Sequence, residues 1–147
     1  MSAAPTNPPC GVMQDECTLG TLAHLLQLVT AWMGPLIIFL VKRDSLFVKF
    51  HALQALILQI CLMVVWIAGV VVFMITMVAN MSHSGGATNS APPLAVFIVF
   101  PLFWIVGMSS WLVVLVLAIV YGIKAGRGEW AGYPVIGGLA RNLLKMS

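Results

Sequence analysis

Apolar residues fall into three long blocks along the chain, at about Leu22–Val41, Ala52–Ala79 and Leu94–Ile123, separated by one charged and one uncharged connection. At about 1.5 Å per helical residue, each block is long enough to cross a hydrocarbon core about 30 Å thick. The pattern predicts an all-α membrane protein with three transmembrane helices. The first connection, Lys42–Lys49, is short and predicts an antiparallel hairpin between the first two spans. The second, Asn80–Pro93, is rich in Ser, Gly, Asn and Pro and predicts an outer loop. Gly126 and Gly128 mark the end of the third helix. Val135–Leu144 is too short to span and predicts a C-terminal interfacial segment with Arg141 and Lys145 at its end. The expected organisation is a flexible tail over 1–20, a membrane domain over 21–126 and an interfacial tail over 127–147.

Composition sharpens the picture. With 61% hydrophobic and 7% charged residues and a mean hydropathy of +1.06, little surface is left for a water-soluble domain. The net charge of +3 is distributed unevenly. Lys42, Arg43 and Lys49 sit at the first connection, and Lys124, Arg127, Arg141 and Lys145 follow the third block, while Asn80–Pro93 and the segment through Gly20 carry no Lys or Arg. Positive residues flanking spans stay on the cytoplasmic side, so three spans predict an N-out/C-in orientation. The basic balance thus reads as topology and attraction to the lipid bilayer, with no nucleic-acid partner. Met1–Glu16 has neither a basic nor an apolar region and holds Pro5, Pro8 and Pro9, so it does not read as a cleavable signal. The simplest location is a bacterial inner membrane. Cys10 and Cys17 would share the outer face, where a disulfide is permitted but not required.

Polar residues within the blocks are costly unless satisfied. In the first, His24, Gln27, Ala31 and Gly34 share an arc of about 80°. Pro35 is expected to free the carbonyl of Ala31 and bend the helix near the middle of the membrane. This face reads either as a packing seam or as the polar lining of a cavity. In the second block His51 and Gln54 share a face, Gln59 lies about 140° around from Gln54, and Ala52, Ala55 and Gln59 form a narrow face for close contact. His51 and Gln54 are expected to tie the hairpin to the end of the third span or its glycine-rich tail; a proton-relay role for His51 is the other reading. Ala118, Gly122 and Gly126 recur every four residues, a ridge that suits contact within the bundle or with a second copy. Trp130 and Tyr133 are placed at the cytoplasmic interface as anchoring rings.

Several chemistries are excluded on this reading. His24 and His51 are assigned to opposite membrane surfaces, which rules out a shared haem or metal. No span has a central Asp, Glu, Lys or Arg, so an ion-coupled carrier is not expected. Ser109 and Ser110 have no basic partner at their depth, and their expected task is bonding to helical carbonyls. No catalytic, cofactor-binding or metal-binding residue is assigned.

Two segments carry a resemblance. One runs from His24 through Gly34-Pro35-Leu36 to Val41-Lys42-Arg43-Asp44 and into Phe47-Val48-Lys49-Phe50-His51-Ala52-Leu53-Gln54-Ala55; the other is Tyr121-Gly122-Ile123-Lys124-Ala125-Gly126-Arg127-Gly128-Glu129-Trp130 with Tyr133-Pro134-Val135-Ile136. Over about residues 18–140 the chain resembles a bacterial family of small membrane proteins related to the twenty-kilodalton channel component of the chloroplast inner-envelope translocon. The resemblance implies a membrane protein whose plastid relatives have four spans and take part in preprotein import. Three helices cannot enclose a peptide-wide channel without oligomerising. Two functions follow: an accessory or scaffold subunit packing against other membrane proteins or further copies, or an oligomeric channel or translocation component using the His24–Gln27–Gly34 face. The absence of a pore-lining ring of charge favours the first.

Overall fold

The structure, a computed structural model, describes residues 12–83 and 94–145. Helices follow in the order α1 (Gln14–Thr30), α2 (Met33–Val41), α3 (Leu46–His83), α4 (Leu94–Gly126) and α5 (Ile136–Leu143), with no strand among the described residues. Among the described residues, one compact unit draws on residues 12–60 and 114–145 and a second on residues 61–83 and 94–113.

The first apolar block is not one helix. α1 stops at Ala31, whose backbone (φ 51°, ψ −122°) reverses the chain, and Trp32 (φ −76°, ψ −20°) completes a turn of type II′ shape. α2 then runs back along α1. A Cβ built on Gly34 would stand 2.6 Å from Cβ of Leu26, eight positions earlier, a distance that a continuous helix cannot produce. Thr30 closes the turn: its hydroxyl donates to the Leu26 carbonyl at 2.8 Å and accepts from the Gly34 N–H at 2.9 Å. The expected bend at Pro35 is therefore replaced by a reversal four residues earlier. Pro35 lies in the first turn of α2, where a missing N–H forfeits no helical bond.

α3 begins at Leu46, six residues before the expected Ala52, because Ser45 caps it by accepting the Val48 N–H at 3.2 Å. Lys49 thus lies in the first turn of α3 rather than in a loop. At its far end α3 continues to His83, into the segment read as loop; residues 84–93 and Cys10 lie outside the described residues. Residues Leu46–Asn80 and Phe97–Gly126 are each long and apolar enough to cross a membrane, and none of the most apolar window of α3 is buried within the protein. Helices apolar on all sides and left uncovered belong in lipid.

In the second unit α3 and α4 meet through aromatic rings. Trp66 and Phe73 both contact Phe103, with centroids at 4.8 and 5.8 Å. Gly107 lets the Trp66 ring lie directly against the α4 backbone. Thr76, Asn80, Ser82 and Ser110 donate back to carbonyls of their own helices, which satisfies these donors locally.

Candidate functional site

In the first unit α1 lies against the beginning of α3 and the end of α4. A Cβ on Gly20 would stand 3.1 Å from the Phe47 ring and 3.3 Å from Cβ of Ala125, and the Thr21 hydroxyl donates to the Gly122 carbonyl at 3.0 Å. Further along, the Gln59 amide donates to the Gln27 carbonyl at 3.2 Å. α1 therefore descends beside α3 from the level of Phe47 to that of Gln59, and α2 climbs back to Lys42. This return places His24 next to His51: His24 Nε2 and His51 Nδ1 are 3.0 Å apart. The expectation that they lie at opposite membrane surfaces is overturned, because it rested on the first block crossing in one piece.

The hydrogen-bond chain has one possible direction. His51 Nε2 lies 3.1 Å from the Glu129 carbonyl, which only accepts, so this nitrogen carries the proton. The partners of both rings are neutral groups and both rings are buried, so a second proton would be an uncompensated charge and each ring carries one. His51 Nδ1 must then accept from His24 Nε2–H, and His24 Nδ1 must accept from the Tyr133 hydroxyl at 2.7 Å. Tyr133 in turn accepts from the Gln27 amide at 3.1 Å. Proton donation thus runs from Gln27 through Tyr133, His24 and His51 to the backbone of the α4–α5 connection.

Gln54 fixes the same connection from the other side. Its Oε1 accepts the Tyr133 N–H at 2.6 Å, and its Nε2 donates to the carbonyls of Phe50 and Ala131. The backbone beyond is tightly apposed, since a Cβ on Gly137 would stand 2.7 Å from Cα of Gly132. Aromatic rings wall the cluster. Phe47 and Phe50 pack on His51, Trp130 packs edge-on against Phe47, and Tyr121 meets Tyr133 with centroids 4.5 Å apart. Burial pushes the Tyr133 phenol well above the ordinary tyrosine range, opposed in part by the Gln27 hydrogen bond. Gln27 Oε1 is buried without a hydrogen-bond partner among the described residues.

Of the residues singled out from sequence, His24, Gln27, His51, Gln54 and Gln59 converge here. Gly122 packs beneath His24 and Gly126 beneath Thr21, which assigns this part of the small-residue ridge to contacts within the chain. Gly34 and Pro35 stand at the hairpin turn, away from the face expected to unite them with His24. Tyr133 is corrected from an interfacial anchor to a buried hub, only 2% exposed. The sequence reading missed Thr21, Thr30, Gly132 and Gly137; the Tyr-Pro and Gly-Gly pairs near Tyr133 and Gly137 were the available signal that the tail folds tightly.

His24 and His51 share one depth, so depth does not keep them from a shared metal, but their ring geometry does. The ring centroids are separated by nearly the full N···N distance plus two ring radii, so the facing nitrogens aim at each other and do not converge on a third point. The outer nitrogens are engaged by Tyr133 and Glu129. Among the described residues no three His, Cys, Asp or Glu side chains cluster as metal ligands. The arrangement locks three segments together.

Fold and site together define a small helical membrane protein whose N-terminal hairpin is sealed to its C-terminal tail by a buried polar chain. The chain belongs to the magnetosome magnetite crystal formation protein family, whose description fits residues 15–140. The family shown concerns mineral formation, and the match carries no translocon relationship. No curated protein and no solved structure matches the chain.

Proposed function

We propose that the chain is a non-enzymatic scaffold subunit in the membrane of a magnetite-forming compartment, with two crossings (α3 and α4) and both termini on the cytoplasmic side. The observation that carries this reading is the hydrogen-bond chain that joins α1, α3 and the tail, with both ring edges of each histidine engaged. Direct templating of mineral is poorly supported by composition. Hard metal cations held in an oxide favour oxygen ligands, carboxylates among them. The chain has only four Asp and Glu, none of them in the Asn80–Pro93 connection. The orientation is supported by the return of α2, which gathers Lys42, Arg43, Lys124 and Arg127 at one end.

The test is deletion of the chain in a magnetite-forming cell, paired with mild detergent extraction and mass spectrometry of what co-purifies. Altered crystals together with a stoichiometric set of membrane proteins support the scaffold. A partner-free homo-oligomer that conducts ions after reconstitution overturns it in favour of a channel.

A further inference from the structure

We propose that the α1–α2 hairpin makes this protein favour bilayers that are convex on the side from which the hairpin enters. From Gly20, level with Phe47 and Ala125, to Thr30 is about ten helical residues, or about 15 Å, half of a hydrocarbon core about 30 Å thick. α2 then brings the chain back to Lys42 and Arg43, whose charges belong at the headgroups. The hairpin therefore enters one leaflet and turns inside it. Its outward side chains, Leu25, Val29, Trp32, Met33, Ile37 and Val41, are exposed and apolar, as lipid contact requires.

A turn in hydrocarbon is tolerated only if its backbone is satisfied internally. Thr30 does this with both its donor and its acceptor, and Gly34 permits the close approach of the two helices. The hairpin is thus a fixed insert. Two helices about 10 Å across add on the order of 150 Å² to one leaflet. α5 adds to the same surface: Leu139 and Leu143 are exposed, while Gly137 and Ala140 face inward. Area added to one leaflet alone is relieved when that leaflet becomes the convex one. This inference rests on the depth of the hairpin and not on any mineral role, so it survives failure of the scaffold reading.

The experiment uses the full-length protein reconstituted into phosphatidylethanolamine–phosphatidylglycerol vesicles of mixed diameter. Protein density per vesicle is read singly by fluorescence. A membrane-impermeant lysine reagent sorts molecules with the basic end outside from those with it inside. Molecules with the basic end outside should be several-fold denser in the smallest vesicles than in the largest, and those with it inside should show no such rise. A depth probe at position 32 (Trp32→Cys, with labelling confined to that site) should be quenched best by lipids brominated near the bilayer centre. Equal density at all diameters in both orientations overturns the proposal, as does a probe that emerges at the opposite headgroups.

Discussion

His24 Nε2 and His51 Nδ1 face each other across 3.0 Å although 27 positions separate them in the chain. The Glu129 carbonyl at the far edge of His51 sets the direction of every proton in the series. Both rings should therefore be neutral tautomers protonated at Nε2. Nitrogen chemical shifts of labelled protein in detergent check this; a His24 ring protonated at Nδ1 would overturn the assigned order.

Tyr133→Phe removes the hydroxyl that serves His24 and Gln27 at once, leaving a buried acceptor and a buried donor without partners. Such groups cost about 1–3 kcal/mol each, and the expected outcome is a clear loss of thermal stability with the helical signal retained at low temperature. The same residue predicts a pH response. Its folded pKa is raised, so its contribution is intact below about pH 10, the unfolded value, and is lost as pH rises toward the folded value. Absorbance titration should show one of the two tyrosines ionising only well above that pH.

The helical, lipid-facing character of the chain is legible in its sequence because hydropathy is a local property. The reversal at Ala31 is not. A mainly apolar block of twenty residues suits a span or a hairpin equally, and Ala is a poor advertisement for a positive φ that Gly or Asn would have announced. The misplacement of His24 follows from that one residue. His24 acquires its depth, and hence its partner, only after the chain turns. Tyr133 is a hub because Gln27, His24 and Gln54 reach it from 106, 109 and 79 positions away, separations no window along the sequence can join.

At Gly137 an added methyl would press on the Gly132 backbone at 2.7 Å, and backbone cannot yield as a side chain can. Gly137→Ala should destabilise by about 1–3 kcal/mol and loosen the tail. Gly138→Ala, where nothing stands within 4 Å, should be neutral or stabilising by up to about 1 kcal/mol. Paired melting curves followed by tryptophan fluorescence discriminate the two; equal effects would refute the close approach.

Ala31→Gly should raise stability. The φ of 51° is strained for Ala by about 1 kcal/mol or more, and Gly adopts it freely, though its greater freedom in the unfolded chain offsets part of the gain. Ala31→Val should do the reverse. A fall in melting temperature for the glycine variant would contradict the hairpin turn.

The seven basic and four acidic side chains all lie before Phe50 or after Ile123, so the stretch Phe50–Ile123 carries none. Moving a charge through a potential of 100 mV changes its energy by about 2.3 kcal/mol. With no fixed charge to carry across, this stretch is neither drawn nor opposed by the membrane potential. Its insertion should proceed equally well in energised and de-energised cells, driven by the transfer of apolar surface alone.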